Sequence, residues 1–216
     1  MASDTVTPAA SAGPANRNIK NVVLDMGGVL MTFNGLSFAR HYTETEKDAL
    51  LLHQAYFGRN EWALLDAGVI AVPTMERIAQ AHLPERLHPN LAACAADWQR
   101  YSVPIPQTEE LVKDLKAQGY GLYLLSNASR EIDKQLDHCP AYQLMDGRVV
   151  SGFERLMKPD PSIFTLLCER YDLDPASCLF VDDNADNCRG AEAAGMRAFH
   201  FTGDADALRV HIEALG

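Results

Sequence analysis

Val22-Val23-Leu24-Asp25-Met26-Gly27-Gly28 ends an apolar, β-branched run with a carboxylate and a glycine turn. Unbroken apolar residues of this kind mark a strand buried on both faces, as in a parallel sheet. A second such run, Leu179-Phe180-Val181, ends on Asp182-Asp183-Asn184. Open α/β sheets hold their ligands just beyond the carboxyl ends of their strands. Carboxylates gathered there repel one another unless a cation joins them. The pair of acidic strand ends therefore suggests Mg²⁺ and, with it, phosphate chemistry.

Outward from the first strand, residues 34–103 show helical signals and no convincing strand. One amphipathic stretch follows Thr45, with Leu51, Leu52, Ala55 and Tyr56 on its apolar face; another follows Pro73-Thr74; a third covers 91–98. Pro104 and Pro106 close this block. Strands and helices then alternate: helix 109–118 stopped by Gly119, strand 120–125, helix 129–136, strand 148–150, helix 161–171, strand 179–181, helix 185–194 stopped by Gly195, strand 197–201 and helix 204–215. Such alternation implies a parallel sheet with helices on both faces. The expected organisation is a flexible tail over 1–18, a core built from 19–33 and 104–216, and an inserted helical cap over 34–103.

The chain has 216 residues, 47% of them hydrophobic, enough to bury a substantial core. A net charge of −10 argues against nucleic acid and against an anionic membrane surface, but not against a small anion in a local pocket. Five cysteines and no CxxC fit a reduced, cytoplasmic setting without a disulfide framework. No apolar run approaches the ~18 residues a membrane span needs. Residues 1–18 lack the basic start and apolar stretch of a signal peptide. Whether the protein is a monomer or a homodimer is not legible.

Four local motifs carry chemistry, and each has an ordinary alternative. Asp25 at a strand end can attack phosphorus, while Gly27-Gly28 lets backbone approach a phosphate or metal; Asp and Gly also simply favour turns. In Leu124-Leu125-Ser126-Asn127 a hydroxyl can bond a phosphate oxygen, with backbone N–H groups of a following helix adding to it, or it can cap that helix. Lys158, in Met157-Lys158-Pro159-Asp160-Pro161, can neutralise a carboxylate and a phosphate at once, or lie solvated. The run Asp182-Asp183-Asn184-Ala185-Asp186-Asn187 is too acidic to be only a cap. It is not a calcium loop, because Asn187 and Ala193 stand where such a loop needs Gly and Glu.

Taken together and in this order, the motifs resemble the haloacid dehalogenase (HAD) superfamily from residue 19 to the C-terminus. Asp-Met-Gly-Gly-Val, Leu-Ser-Asn, Met-Lys-Pro-Asp and Phe-Val-Asp-Asp-Asn-Ala-Asp-Asn are similar to a bacterial branch that includes α-glucose-1-phosphate phosphatase. The resemblance implies a HAD-like, Rossmannoid parallel sheet with a small helical cap of the C1 type. It implies a Mg²⁺-dependent phosphatase of a small phosphorylated metabolite, a sugar phosphate being favoured. Asp25 would be nucleophile and metal ligand. Ser126 and the Asn127 backbone would hold phosphoryl oxygens, and Lys158 would balance charge and touch the phosphate. Asp183, Asp182 and the Gly27 backbone carbonyl would complete the metal site, with Asp183 the better direct ligand.

One position departs from the family pattern. Most HAD phosphatases carry a second Asp two residues after the nucleophile, as general acid and base; here that residue is Gly27. Such groups contribute ~10²–10⁴-fold. The substrate would then have a good leaving group, or a cap residue such as His41, His53 or Asp66 would supply the proton. A weakly active or non-catalytic binding protein is the alternative, and a 2-haloacid dehalogenase a more distant one. Trp62 and Trp98 read as core anchors of the cap rather than as substrate platforms.

Overall fold

Strand β1 (Asn21–Leu24) is the middle strand of a five-stranded, wholly parallel sheet in the computed structural model, which describes residues 18–215. The expected tail thus lies outside the described residues, apart from Asn18. The order across the sheet is β3 (Gly147–Val150), β2 (Gly121–Ser126), β1, β4 (Cys178–Asp182) and β5 (Arg197–His200). Leu24 lies opposite Leu124 on one side and Val181 on the other. This register brings the carboxyl ends of β2, β1 and β4 to one edge. The chain reverses its direction of travel across the sheet between β1 and β4, which is where open α/β sheets place ligands.

Successive strand residues point to opposite faces. Val22, Leu24, Leu122, Leu124, Leu179 and Val181 pack on one face against α6 (Pro106–Ala117) and α11 (Ala205–Leu215). Val23, Tyr123, Leu125, Val149 and Phe180 pack on the other against α9 (Pro161–Tyr171) and α10 (Ala185–Ala193). The start of α9 follows from sequence: Asp160 accepts from Ser162 N at 2.8 Å and Pro161 supplies a first-turn residue that needs no donor.

Between β1 and α6 the chain makes α1 (Gly35–Arg40), α2 (Glu46–Ala55), α3 (Glu61–Asp66), α4 (Val72–Gln80), α5 (His88–Asp97) and two 3₁₀ turns, Glu85–Leu87 and Trp98–Tyr101. Three helical stretches are legible in the sequence. The six-residue α1 and α3 escape because fewer than two turns cannot display a 3.6-residue period. The block has its own core, with Phe38, Leu52, Tyr56, Met75, Leu91 and Trp98 all buried. It joins the sheet through a narrow neck. There Thr32 N donates to Val103 O at 2.8 Å, Ser102 Oγ donates to Thr32 O at 2.7 Å, and Ile105 N donates to Leu30 O at 2.9 Å.

The segment after β2 corrects the expectation of a helix over 129–136. Only α7 (Asp133–Leu136) is α-helical there. Ser151, at the start of α8 (Ser151–Glu154), captures the preceding backbone instead: Ala128 N donates to its Oγ at 3.0 Å, and Gly152 N donates to Ala128 O at 3.1 Å. A side chain far along the sequence thus outcompetes local helix formation. No helix of the described residues is long and apolar enough to cross a membrane.

Candidate active site

The carboxyl edge of the sheet gathers the residues singled out from sequence. Asp25 N donates to Val181 O at 2.9 Å, which seats the Asp25 side chain beside the end of β4. One carboxylate oxygen from each of Asp25, Asp182 and Asp183 lies within 4.8 Å of the others. Lys158 reaches into the same place. Its Nζ lies 2.7 Å from Asp25 Oδ1 and 2.7 Å from Asp182 Oδ2, and donates to Leu125 O at 3.0 Å. The Lys158 side chain is 1% exposed. A buried ammonium of this kind persists only where its donors are met.

The two aspartates that end β4 have different surroundings. Asp182 is fully buried and its oxygens accept from Asn184 N at 2.8 Å, from Asn187 Nδ2 at 3.0 Å and from Lys158. It is a strut that fixes Lys158. Asp183 is exposed and lines the cavity. The glycine turn allows this placement, because Gly28 has φ +75° and a Cβ there would lie 2.3 Å from Asp183 Oδ2. Any side chain at position 28 would drive the Asp183 carboxylate away.

The charge balance of this edge suits a divalent cation. Three carboxylates and one ammonium leave two formal negative charges, the complement of one divalent ion. Burial pushes the Asp25 carboxyl up to about 6, against the pull of Lys158 and with the help of Asp182. Partial desolvation at the cavity floor also raises Asp183, and the Asp182 charge adds to it. For Lys158, burial favours the neutral form, but Asp25 and Asp182 outweigh it and hold the ammonium charged. An all-oxygen donor set suits a hard cation such as Mg²⁺.

Asn127 does something the sequence did not reveal. Its amide clamps the Lys158 backbone, accepting from Lys158 N at 2.9 Å and donating to Lys158 O at 2.8 Å. The side chain locks the lysine loop to the end of β2. The expected support from a helix start after Asn127 is also absent, because residues 127–129 are not helical and Ala128 N–H is engaged by Ser151. Ser126 is buried and lines the cavity beside Asp25.

That cavity, about 310 Å³, lies between the sheet edge and the helical block. Its sheet side carries Asp25, Gly27, Ser126, Asn127 and Asp183, and its helical side Trp62, Asp66, Trp98 and Gln99. Trp62 and Trp98 belong to the helical block's packing, and the cavity adds a second role that their sequence context did not show. Phe33 joins them from the neck, its ring centroid 5.6 Å from Trp98 and 6.1 Å from Trp62. The proton-donor candidates separate here. His41 stacks on Tyr101 and His53 lies against Phe57, whereas Asp66 lines the cavity.

Comparison with known proteins places these features in a family. A model of the haloacid dehalogenase-like hydrolases matches residues 19–195. The sesquiterpene phosphatase astK of Aspergillus oryzae is 27% identical over 85% of this chain and 90% of its own length. Phosphatase MT3486 of Mycobacterium tuberculosis is 27% identical over 84% of this chain and 87% of its own. Among solved structures, the L-2-haloacid dehalogenase RSc1362 superposes with TM-score 0.72 at 18% identity, covering 91% of this chain and 99% of that one. A HAD family enzyme of Bacteroides thetaiotaomicron, crystallised with magnesium and inorganic phosphate, superposes with TM-score 0.64 at 20% identity, covering 88% and 98%.

Proposed function

The chain belongs to the haloacid dehalogenase-like hydrolases and is a phosphatase of that family, and from that premise we propose that it cleaves a small phosphorylated metabolite in two steps through Asp25, with Mg²⁺ as cofactor. The observation that carries this reading is the meeting of Asp25, Asp182 and Asp183 around the Lys158 ammonium. Asp25 and Asp183 would hold the ion, with the Gly27 carbonyl completing the set from the protein side and Asp182 orienting Lys158. When bound, the ion would neutralise phosphate charge and favour attack at phosphorus.

In the first step an Asp25 oxygen bonds to phosphorus as the ester oxygen departs. In the second, water cleaves the aspartyl-phosphate and regenerates Asp25. Ser126 Oγ and the Asn127 backbone bind phosphoryl oxygens. Lys158 keeps Asp25 ionised and oriented. Its three donors are already engaged, so it meets a phosphoryl oxygen only by releasing one, and the 3.0 Å bond to Leu125 O is the longest. Residues 34–103 serve as the cap over this edge.

The favoured substrate is a sugar phosphate, whose ring can stack on Trp62 or Trp98 while its hydroxyls reach Gln99. The three aromatic rings, together with kinship to a sesquiterpene phosphatase, favour a second reading in which the leaving group is a hydrocarbon alcohol. Five buried, unpaired cysteines support a cytoplasmic setting.

The test is phosphate release from a panel of sugar and prenyl phosphates with Mg²⁺, with EDTA, and with Asp25→Asn. Turnover should vanish with EDTA, return with Mg²⁺, and fall by at least ~10⁴-fold in the variant, as for other removed nucleophiles. EDTA-resistant halide release from a 2-haloacid would instead make it a dehalogenase. Phosphate binding without turnover would leave a binding protein that lacks a proton donor at Gly27.

A further inference from the structure

We propose that Asp66, the last residue of α3, is the catalytic acid and base that Gly27 cannot be. This rests on the phosphatase reading and adds to it the source of the proton.

Four acids line the cavity: Asp25, Asp66, Glu131 and Asp183. Asp25 is paired with Lys158, and Asp183 belongs to the carboxylate cluster. Glu131 pairs with Lys134 at 2.5 Å, and its neighbour Arg130 donates to Gly152 O at 2.8 Å. Asp66 alone of the four has neither a salt bridge nor a place in the cluster.

It is also fixed against the catalytic edge, although it comes from the helical block. Ser151 Oγ donates to Asp66 O at 2.6 Å, and that hydroxyl also accepts from Ala128 N in the loop after β2. Two residues on, Gly68 has φ +67°, and a Cβ there would lie 2.2 Å from Gly152 O. The end of α3 is therefore seated on α8 at a distance only glycine permits. The Trp62 side chain and the Ser129 backbone favour the charged form of the Asp66 carboxyl. Burial, helped by the Asp25 charge, nonetheless pushes this carboxyl up to about 8. At neutral pH it is a neutral acid with a proton to give. The position where the family carries its own acid is open, since a Cβ on Gly27 would meet only Phe33, at 3.5 Å and beyond.

As Asp25 Oδ bonds to phosphorus, the bond from phosphorus to the ester oxygen breaks and that oxygen takes the Asp66 proton, leaving as an alcohol. The Asp66 carboxylate then accepts a proton from water while the water oxygen bonds to phosphorus and the Asp25–phosphorus bond breaks. Inorganic phosphate leaves, and both aspartates return to their starting states.

The experiment compares the wild type with Asp66→Asn on alkyl phosphates and on p-nitrophenyl phosphate. Asp66→Asn should lower kcat/KM on alkyl phosphates by ~10²–10³-fold, because their alkoxide leaves poorly, and change it less than about 5-fold on p-nitrophenyl phosphate. The fall in wild-type kcat/KM above about pH 8 should disappear in the variant, since only the protonated acid supports the first step. Gly27→Asp added to Asp66→Asn should return about tenfold of the lost alkyl phosphate activity. Equal losses on both substrate types would assign Asp66 a structural role and overturn the proposal, as would no loss on either. Carboxyl ¹³C titration of the full-length protein gives a readout independent of turnover, and an Asp66 midpoint below pH 5 also overturns it. Failure of the phosphatase reading looks different: Asp25→Asn would then retain wild-type phosphate release, or the wild type would show none.

Discussion

Three of the four buried polar side-chain atoms without a hydrogen-bond partner among the described residues, Tyr42 OH, His53 Nδ1 and Gln99 Oε1, sit in the helical block. On the sheet side of the cavity, Lys158 has three acceptors, Asp182 accepts from three groups, and Asn127 uses both ends of its amide. Of these three, Gln99 alone lines the cavity, so one wall is saturated and ionic and the other is aromatic with one polar atom, Gln99 Oε1, left open. Saturated networks hold groups in one geometry, as reaction at phosphorus requires. An open polar atom in an aromatic wall awaits a partner, as recognition requires. The reacting carboxylates and the lysine thus sit in the sheet wall and the recognition surface in the helical wall, with Asp66 the one acid proposed to act across the divide from its seat on α8.

The harshest way to break this contrast is to empty the saturated wall. Lys158→Met removes the ammonium from between Asp25 and Asp182, both buried. Leaving buried carboxylates unpaired costs about 3–5 kcal/mol. Chemical denaturation should register a loss of that size, with activity abolished. Mg²⁺ should restore part of the stability, because the ion binds only the folded arrangement. A variant as stable as the wild type without Mg²⁺ would mean that the sheet wall is not held by its ionic network.

A comparable cut in the other wall should have a local effect. Trp98 packs against Phe33, Phe38, Phe57 and Trp62, with ring centroids 5.1–5.9 Å away. Trp98→Ala should cost about 3 kcal/mol, the lower end for a large aromatic. Hydrogen exchange should show where: amides of 35–101 should lose protection while β1, β2 and β4 keep theirs. Equal loss across both regions would show that they fold as one unit.

The same division explains what was legible in the sequence. Asp25, Ser126 and Asp182-Asp183 can be read because each ends an apolar strand, and Lys158 because it precedes a proline turn; both are local signals. Parallel register does the rest, setting Leu24 opposite Leu124 and Val181. The roles of Asn127 and Ser151 were not legible, since each depends on a partner in a distant segment: Lys158 for one, Asp66 and Ala128 for the other. For the helical block, α1 and α3 are too short to show a period, and sequence alone does not say which face of Trp62 or Trp98 meets the cavity. Of the proton-donor candidates His41, His53 and Asp66, packing alone brings Asp66 to the cavity.

The mildest prediction sharpens the contrast most, because it asks what the open wall is waiting for. Gln99 is 5% exposed, lines the cavity, and its Oε1 has no partner. An unmet buried polar atom costs about 1–3 kcal/mol. Gln99→Leu should therefore leave the free protein as stable as the wild type, or slightly more so. If the substrate brings a hydroxyl to that oxygen, KM should rise about tenfold, or about 1.4 kcal/mol, with kcat nearly unchanged. If the leaving group is a hydrocarbon, KM should stay level or fall, because an apolar side chain then faces an apolar ligand. The two substrate readings thus separate on one measured constant, a rise of about tenfold in KM against none. A change in kcat rather than KM would place Gln99 with the reacting atoms and erase the division between the walls.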